Sequence, residues 1–237
     1  MRPIGFSTGA LALADFQLGL DMTRSNSQCS AIELSALRHP ELVPLLEALG
    51  DLDLDSINYV SLNAPSQFTP ESEAEVAHHL LAVQHRGWPI VVHPDVLTNM
   101  ALWREFGSQL CIENMDKRKP IGRTAGELSL IFEELPGASL CFDIGHARQV
   151  DPTMTEAYLI LKQFGSKLRQ VHVSEVNTRS KHDPLSYASI LAFQHVAHLI
   201  PGEVPLILET PVDTMNMDRE IERVREALPV HHESMVA

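Results

Sequence analysis

Short runs rich in β-branched and other apolar residues alternate along this chain with longer segments whose apolar positions recur every three or four residues. Eight runs read as strands: IGFST (4–8), AIELS (31–35), INYVSLN (57–63), PIVVH (89–93), LCIEN (110–114), SLCFDI (139–144), LRQVHVS (168–174) and PLILET (205–210). Helix-length segments lie between them, such as ESEAEVAHHLLAVQHRG (71–87), TAGELSLIFEELPG (124–137) and PLSYASILAFQHVAHLIPG (184–202). Gly87, Gly137 and Gly202 follow helical runs, with Pro136 and Pro201 beside two of them, as helix stops do. TPESEAEV puts a proline and acidic residues into a first turn, which marks a helix start.

This alternation predicts parallel βαβ units. Eight repeats favour a closed (β/α)8 barrel, the TIM-barrel architecture of the α/β class, over an open doubly wound sheet. No glycine-rich phosphate fingerprint follows the first strand, which also argues against the open sheet. Residues 1–237 read as one domain, without a linker or low-complexity segment, and the tail LPVHHESMVA is expected to fray. Hydrophobic residues make up 44% of the chain, enough for one large core. No stretch of about 18 apolar residues is present, so no membrane span is expected. Ser7, Thr8 and Gly9 interrupt the first apolar run, which is not a signal-peptide layout, and the expected compartment is the cytoplasm. Cys29, Cys111 and Cys141 form no CxxC and read as reduced packing thiols.

The strand ends carry the chemistry. In a (β/α)8 barrel the C-terminal ends of the strands build the active site. Here the fourth run ends in His93, the fifth in Glu113, the sixth in Asp143 and the eighth in Glu209, and the seventh contains His172. Strand alternation puts Cys111 on the face of Glu113, and Cys141 on that of Asp143. Two Glu, one Asp and one His make a hard, oxygen-rich donor set that suits Mn, Mg, Co, Fe or Zn. Such converging carboxylates need a cation or protons to relieve their repulsion. The formal net charge of −13 argues against a broad electrostatic hold on nucleic acid.

These residues resemble the xylose isomerase-like, or apurinic endonuclease family 2, superfamily of barrels, and are closest in motif to ketose 3-epimerases and inosose or sugar isomerases. The resemblance implies one divalent metal ion (Mn, Co, Mg, Fe or Zn) held by Glu113, Asp143, His172 and Glu209. It implies that Glu113 and Glu209 also act as the acid/base pair, and that His146, in DIGH, and Arg179, in HVSEVNTR, contact the substrate; His93 is a substrate contact, a group behind a ligand, or a ligand kept from the endonuclease branch, which has a histidine on strand four. Arg179 stands one place later than the epimerase pattern has it. The implied reaction is proton transfer next to a carbonyl polarised by the metal, on a small carbohydrate-like molecule such as a sugar, sugar phosphate or keto-polyol. The ligand set does not choose among epimerisation, isomerisation and dehydration.

The rival branch is the three-zinc apurinic endonucleases, acting on damaged DNA. Asn63 stands where they have a strand-three histidine, and Ser180, in RSKHDP, where they have an aspartate. That leaves His182 without its usual partner and favours one metal over three. A barrel that has lost catalysis is the third reading. The loop NMDKRKPIGRT carries Lys117, Arg118, Lys119 and Arg123, either solvated or meeting an anionic group of the substrate. Trp88 reads as packing. His78, His79, His85, His195 and His198 fall in helical segments and are given no chemistry. Barrels of this superfamily often pair, so a homo-oligomer is part of what the resemblance implies.

Overall fold

The computed structural model describes residues 2–230, so most of the tail expected to fray lies outside the described residues. Its centre is a closed barrel of parallel strands: β1 (Ile4–Ser7), β2 (Ala31–Ser35), β3 (Tyr59–Asn63), β4 (Ile90–Val92), β5 (Leu110–Glu113), β6 (Ser139–Asp143), β7 (Leu168–Val173) and β10 (Leu206–Leu208). Each pairs with its sequence neighbours, and β1 closes the ring against β10, as the alternation predicts. A two-stranded antiparallel ribbon, β8 (Glu175–Val176) with β9 (His182–Asp183), projects from the loop after β7. Two-residue strands carry no hydrophobic period, so the sequence pattern gives no sign of it.

Among the described residues, ten α-helices surround the barrel: α1 (Thr8–Ala12), α2 (Phe16–Ser25), α3 (His39–Ala48), α4 (Glu73–Ala82), α5 (Met100–Arg104), α6 (Ala125–Glu134), α7 (Ile144–Val150), α8 (Thr155–Phe164), α9 (Tyr187–Ala197) and α10 (Met217–Ala227). None is long and apolar enough to cross a membrane. The segment expected to be helical over 71–87 divides into α4 and a short 3-10 turn at Gln84–Arg86, closed by Gly87 in the left-handed conformation at φ +70°. Trp88 packs against the main core with Arg86 over its ring, as its packing role requires.

The main core lies between strands and helices, where Phe6, Ile32, Leu34, Trp103, Phe142 and Phe193 are almost wholly buried. The lumen is different. Its separate apolar cluster is only Val91, Cys111 and Cys141. The polar side chains of Glu33, Ser61, Gln170 and His172 are fully buried as well. Burial pushes the Cys141 thiol far above its ordinary value, so it stays protonated, as an inert packing thiol should.

The hydrogen-bonded ladders of β4 and β10 are shorter than the apolar runs that predict them. His93 and Glu209 therefore fall one residue beyond their ladders, at the rim.

Candidate metal centre

Asp143 has two jobs because it both ends β6 and precedes α7. One carboxylate oxygen, Oδ1, accepts the backbone N–H of His146 at 2.6 Å and caps the helix. The other, Oδ2, is buried with no hydrogen-bond partner. Asn114 holds this corner in place. Its amide accepts the Asp143 N–H and donates to the Asp143 carbonyl, both at 2.8 Å, stitching the end of β5 to the end of β6.

Glu113, His172 and Glu209 converge on the same point. One donor atom from each, together with one from Asp143, all lie within 4.8 Å of one another. His172 Nδ1 is 3.6 Å from Glu113 Oε1 and 3.4 Å from Glu209 Oε1. Besides Asp143 Oδ2, the buried atoms Glu113 Oε2 and His172 Nδ1 also lack hydrogen-bond partners. Buried polar atoms are rarely left orphaned. Three orphans in one cluster, on three of the four expected ligands, mark residues fit to hold a cation. The donors thus fit a divalent ion of the hard or borderline class.

The electrostatics agree. Burial, and against the pull of His172 the charges of Glu113, Asp143 and Glu33, push Glu209 well above the usual carboxylate range. Burial alone would lower His146, but Asp143, Glu113 and Glu209 hold it up to about 10. His172 is raised in the same way by Glu209, Glu33 and Glu113 against its burial. Burial opposes ionisation of Glu113, yet His172, His93 and hydrogen bonding from His146 take it well below its ordinary value. The cluster relieves its repulsion by keeping protons, which a divalent cation can replace.

The centre opens into a cleft of about 240 Å³ lined by Asn63, His93, Glu113, Asp116, Arg118, Lys119, His146, His182 and Glu209, among others. Of the expected substrate contacts, His146 and His93 are there. His146 Nδ1 lies 3.0 Å from the Asn114 carbonyl, and His93 Nε2 is 3.3 Å from Glu113 Oε2. Arg179 is not. It is exposed near the tip of the β8–β9 ribbon, outside the cleft lining, and its carbonyl accepts from Arg118. His182 is brought in by the ribbon, with Nδ1 2.7 Å from Ser174 Oγ and 3.6 Å from Glu209 Oε2.

Of the basic loop, Arg118 and Lys119 line the cleft, and both are paired. Arg118 grips Asp116 and the Ser180 carbonyl, and Lys119 Nζ lies 2.8 Å from Asp95. Arg123 pairs with Glu127.

One buried charge escapes the strand-end logic. Glu33, midway along β2, is wholly buried in the lumen, its Oε2 3.0 Å from His172 Nε2. The signal was present in AIELS, a carboxylate inside a run otherwise fit for complete burial.

No family model matches the chain, and no curated protein matches its sequence. Solved structures do. The chain superposes on 3-keto-D-glucoside 4-epimerase from E. coli with a TM-score of 0.61 at 12% identity, over 96% of this chain and 99% of that one. It superposes on a xylose isomerase-like TIM barrel protein from Mycobacterium smegmatis, in complex with magnesium, with a TM-score of 0.58 at 14% identity, over 96% and 98%. Endonuclease IV from Thermus thermophilus gives 0.57 at 18% identity, over 94% and 97%. The polypeptide thus has the fold of the xylose isomerase-like barrels.

Proposed function

We propose that this protein is a divalent-metal-dependent isomerase or epimerase of a small keto-sugar or keto-polyol. The observation that carries this reading is the convergence of Glu113, Asp143, His172 and Glu209 within 4.8 Å at the floor of a cleft. The epimerase and the xylose isomerase-like barrels among the structural matches support it. A bound cation would polarise a substrate carbonyl as a Lewis acid.

The protein's own groups then divide the remaining work. Glu113 and Glu209 stand on either side of His172, and the Oε1 of each flanks its Nδ1. The second oxygen of each faces a histidine at the cleft, His93 for Glu113 and His182 for Glu209. Each glutamate can hold or release a proton at Oε2, one on each side of a carbon bound between them. General acid/base action of this kind contributes about 10²–10⁴ in rate. His146, fixed at the mouth by Asn114, orients a substrate oxygen.

The pairing of Arg118 with Asp116, and of Lys119 with Asp95, leaves neither cation of the cleft uncompensated. That favours an uncharged polyhydroxy substrate over a sugar phosphate. It also disfavours the nuclease reading, to which two more observations speak. The Asn63 amide donates to Glu33, and Asp183, the carboxylate beside His182 that would have to stand in for the missing aspartate, accepts from the Asn177 amide at 2.8 Å.

Elemental analysis of protein purified without chelator is the test, alongside Glu209→Gln. About one divalent ion per chain, lost in the variant, supports the reading, as does solvent deuterium entering a ketose beside its carbonyl. About three zinc ions would turn the search to abasic DNA. No retained ion after loading would overturn the catalytic reading.

A further inference from the structure

We propose that Glu33 is a positioning residue for the metal centre, holding the His172 ring so that a bare Nδ1 faces the cation. This rests on the reading that the four-residue centre binds a metal. Tyr59 Oη donates to Gln170 Oε1 at 2.7 Å, and burial pushes the Tyr59 hydroxyl far up, so it remains a donor. That bond fixes the Gln170 amide with its N–H2 toward Glu33 Oε2, at 2.7 Å. Ser61 Oγ donates to the same oxygen at 3.1 Å, and Asn63 Nδ2 donates to Oε1 at 3.0 Å.

Glu33 is therefore an acceptor wherever it is touched, and the remaining neighbour is His172 Nε2 at 3.0 Å. A bare Nε2 would set its lone pair against a carboxylate oxygen, so Nε2 carries a proton and donates it to Glu33. The Gln170 and His172 nitrogens, 2.9 Å apart, are then two donors converging on one oxygen. With Nε2–H fixed, Nδ1 is the nitrogen that ligates, and it is the buried atom left without a partner among Glu113, Asp143 and Glu209. A carboxylate behind a ligating histidine sets its tautomer, ring angle and basicity. Asn63, read from the sequence as the loss of a metal ligand, here has a different task. Among the described residues it supplies the only hydrogen bond to Glu33 Oε1.

Glu33→Gln keeps the shape and removes the charge. The test is the Mn2+ or Co2+ dissociation constant of wild type and Glu33→Gln, with the Co2+ absorption spectrum and 15N NMR of His172 in the Zn2+-loaded protein. The expected result is a dissociation constant raised about 10–100-fold, with an altered Co2+ spectrum. The wild-type His172 signal is expected to report Nε2–H, with Nδ1 bound. Equal circular dichroism and thermal midpoint of the metal-free proteins would separate positioning from mere support of the fold. Metal affinity within about twofold of wild type overturns the proposal. If wild type itself binds no metal, the functional reading falls first and the proposal with it. If Glu33→Gln does not fold, Asn63→Ala decides: it leaves Glu33 in place without its Oε1 donor, and unchanged metal affinity there also overturns the proposal.

Discussion

A methyl group on Gly145 would have nowhere to go. Its Cβ would lie 2.4 Å from the Ser174 carbonyl oxygen and 2.8 Å from Val176 Cγ2. This glycine lies between Asp143 and His146, so relief of the clash would move the helix start that both residues share. Gly145→Ala is expected to cost about 1–3 kcal/mol in urea unfolding, and to weaken metal binding, as read by chelator competition. Residues at strand ends could be read from the sequence because a polar side chain straight after an apolar run has one favoured place in a barrel. Glu33 could not be read that way, since it sits inside its run. Arg179 rests on the resemblance of HVSEVNTR to the epimerase motif, in which it stands one place late. The turn is set by Ser180 at φ +52°, whose buried hydroxyl lies 3.1 Å from Asp116 Oδ1, and it leaves Arg179 outside.

Elements are held at the site by contacts that hydrophobic periodicity does not report. Glu73, the first residue of α4, is buried and accepts from the backbone N–H groups of Thr98 (2.8 Å) and Asn99 (3.1 Å), from Trp103 Nε1 (2.9 Å) and from the Thr98 hydroxyl. It thereby ties α4 to the segment between His93 and α5. Burial would raise this carboxyl, but the Thr98, Asn99 and Trp103 donors lower it. A folded-state value below the unfolded value of about 4.3 stabilises the protein above that pH, and the gain is lost as pH falls through the folded value. Glu73→Gln is expected to lose about 2–3 kcal/mol at pH 7 and to show a flatter stability curve on the acid side. Urea unfolding across acid and neutral pH checks both. The β8–β9 ribbon makes the same point, since its anchors, Arg118 and Ser180, are far apart in sequence and lie in loops.

For the molecule as a whole, the order of strands followed from counting them, because parallel neighbours joined by helices have few alternatives. What counting could not supply is how the ring is sealed. Beside the β1–β10 seam the Arg2 guanidinium donates to the carbonyls of Ile200, Pro201, Gly202 and Leu228, at 2.8–3.3 Å. A lone arginine next to the N-terminus carries no sign of this in the sequence. Arg2→Met would strip several carbonyls of their donor where water has little access. The expected loss is about 2–4 kcal/mol, or roughly 5–15 °C in thermal midpoint for a chain of this size, read by calorimetry on the metal-free protein.

The lumen has a consequence of its own. Glu33 on β2 collects donors from β3 and β7, so the strands are braced across the barrel as well as around it. On the proposed reading, such a hub would keep the cation's seat apart from the loops that shape the cleft. Loop exchange beyond Lys117, or within the β8–β9 ribbon, can then alter what is bound while the seat persists. In engineering terms the scaffold is a fixed socket with interchangeable heads, and its selectivity can evolve faster than its chemistry.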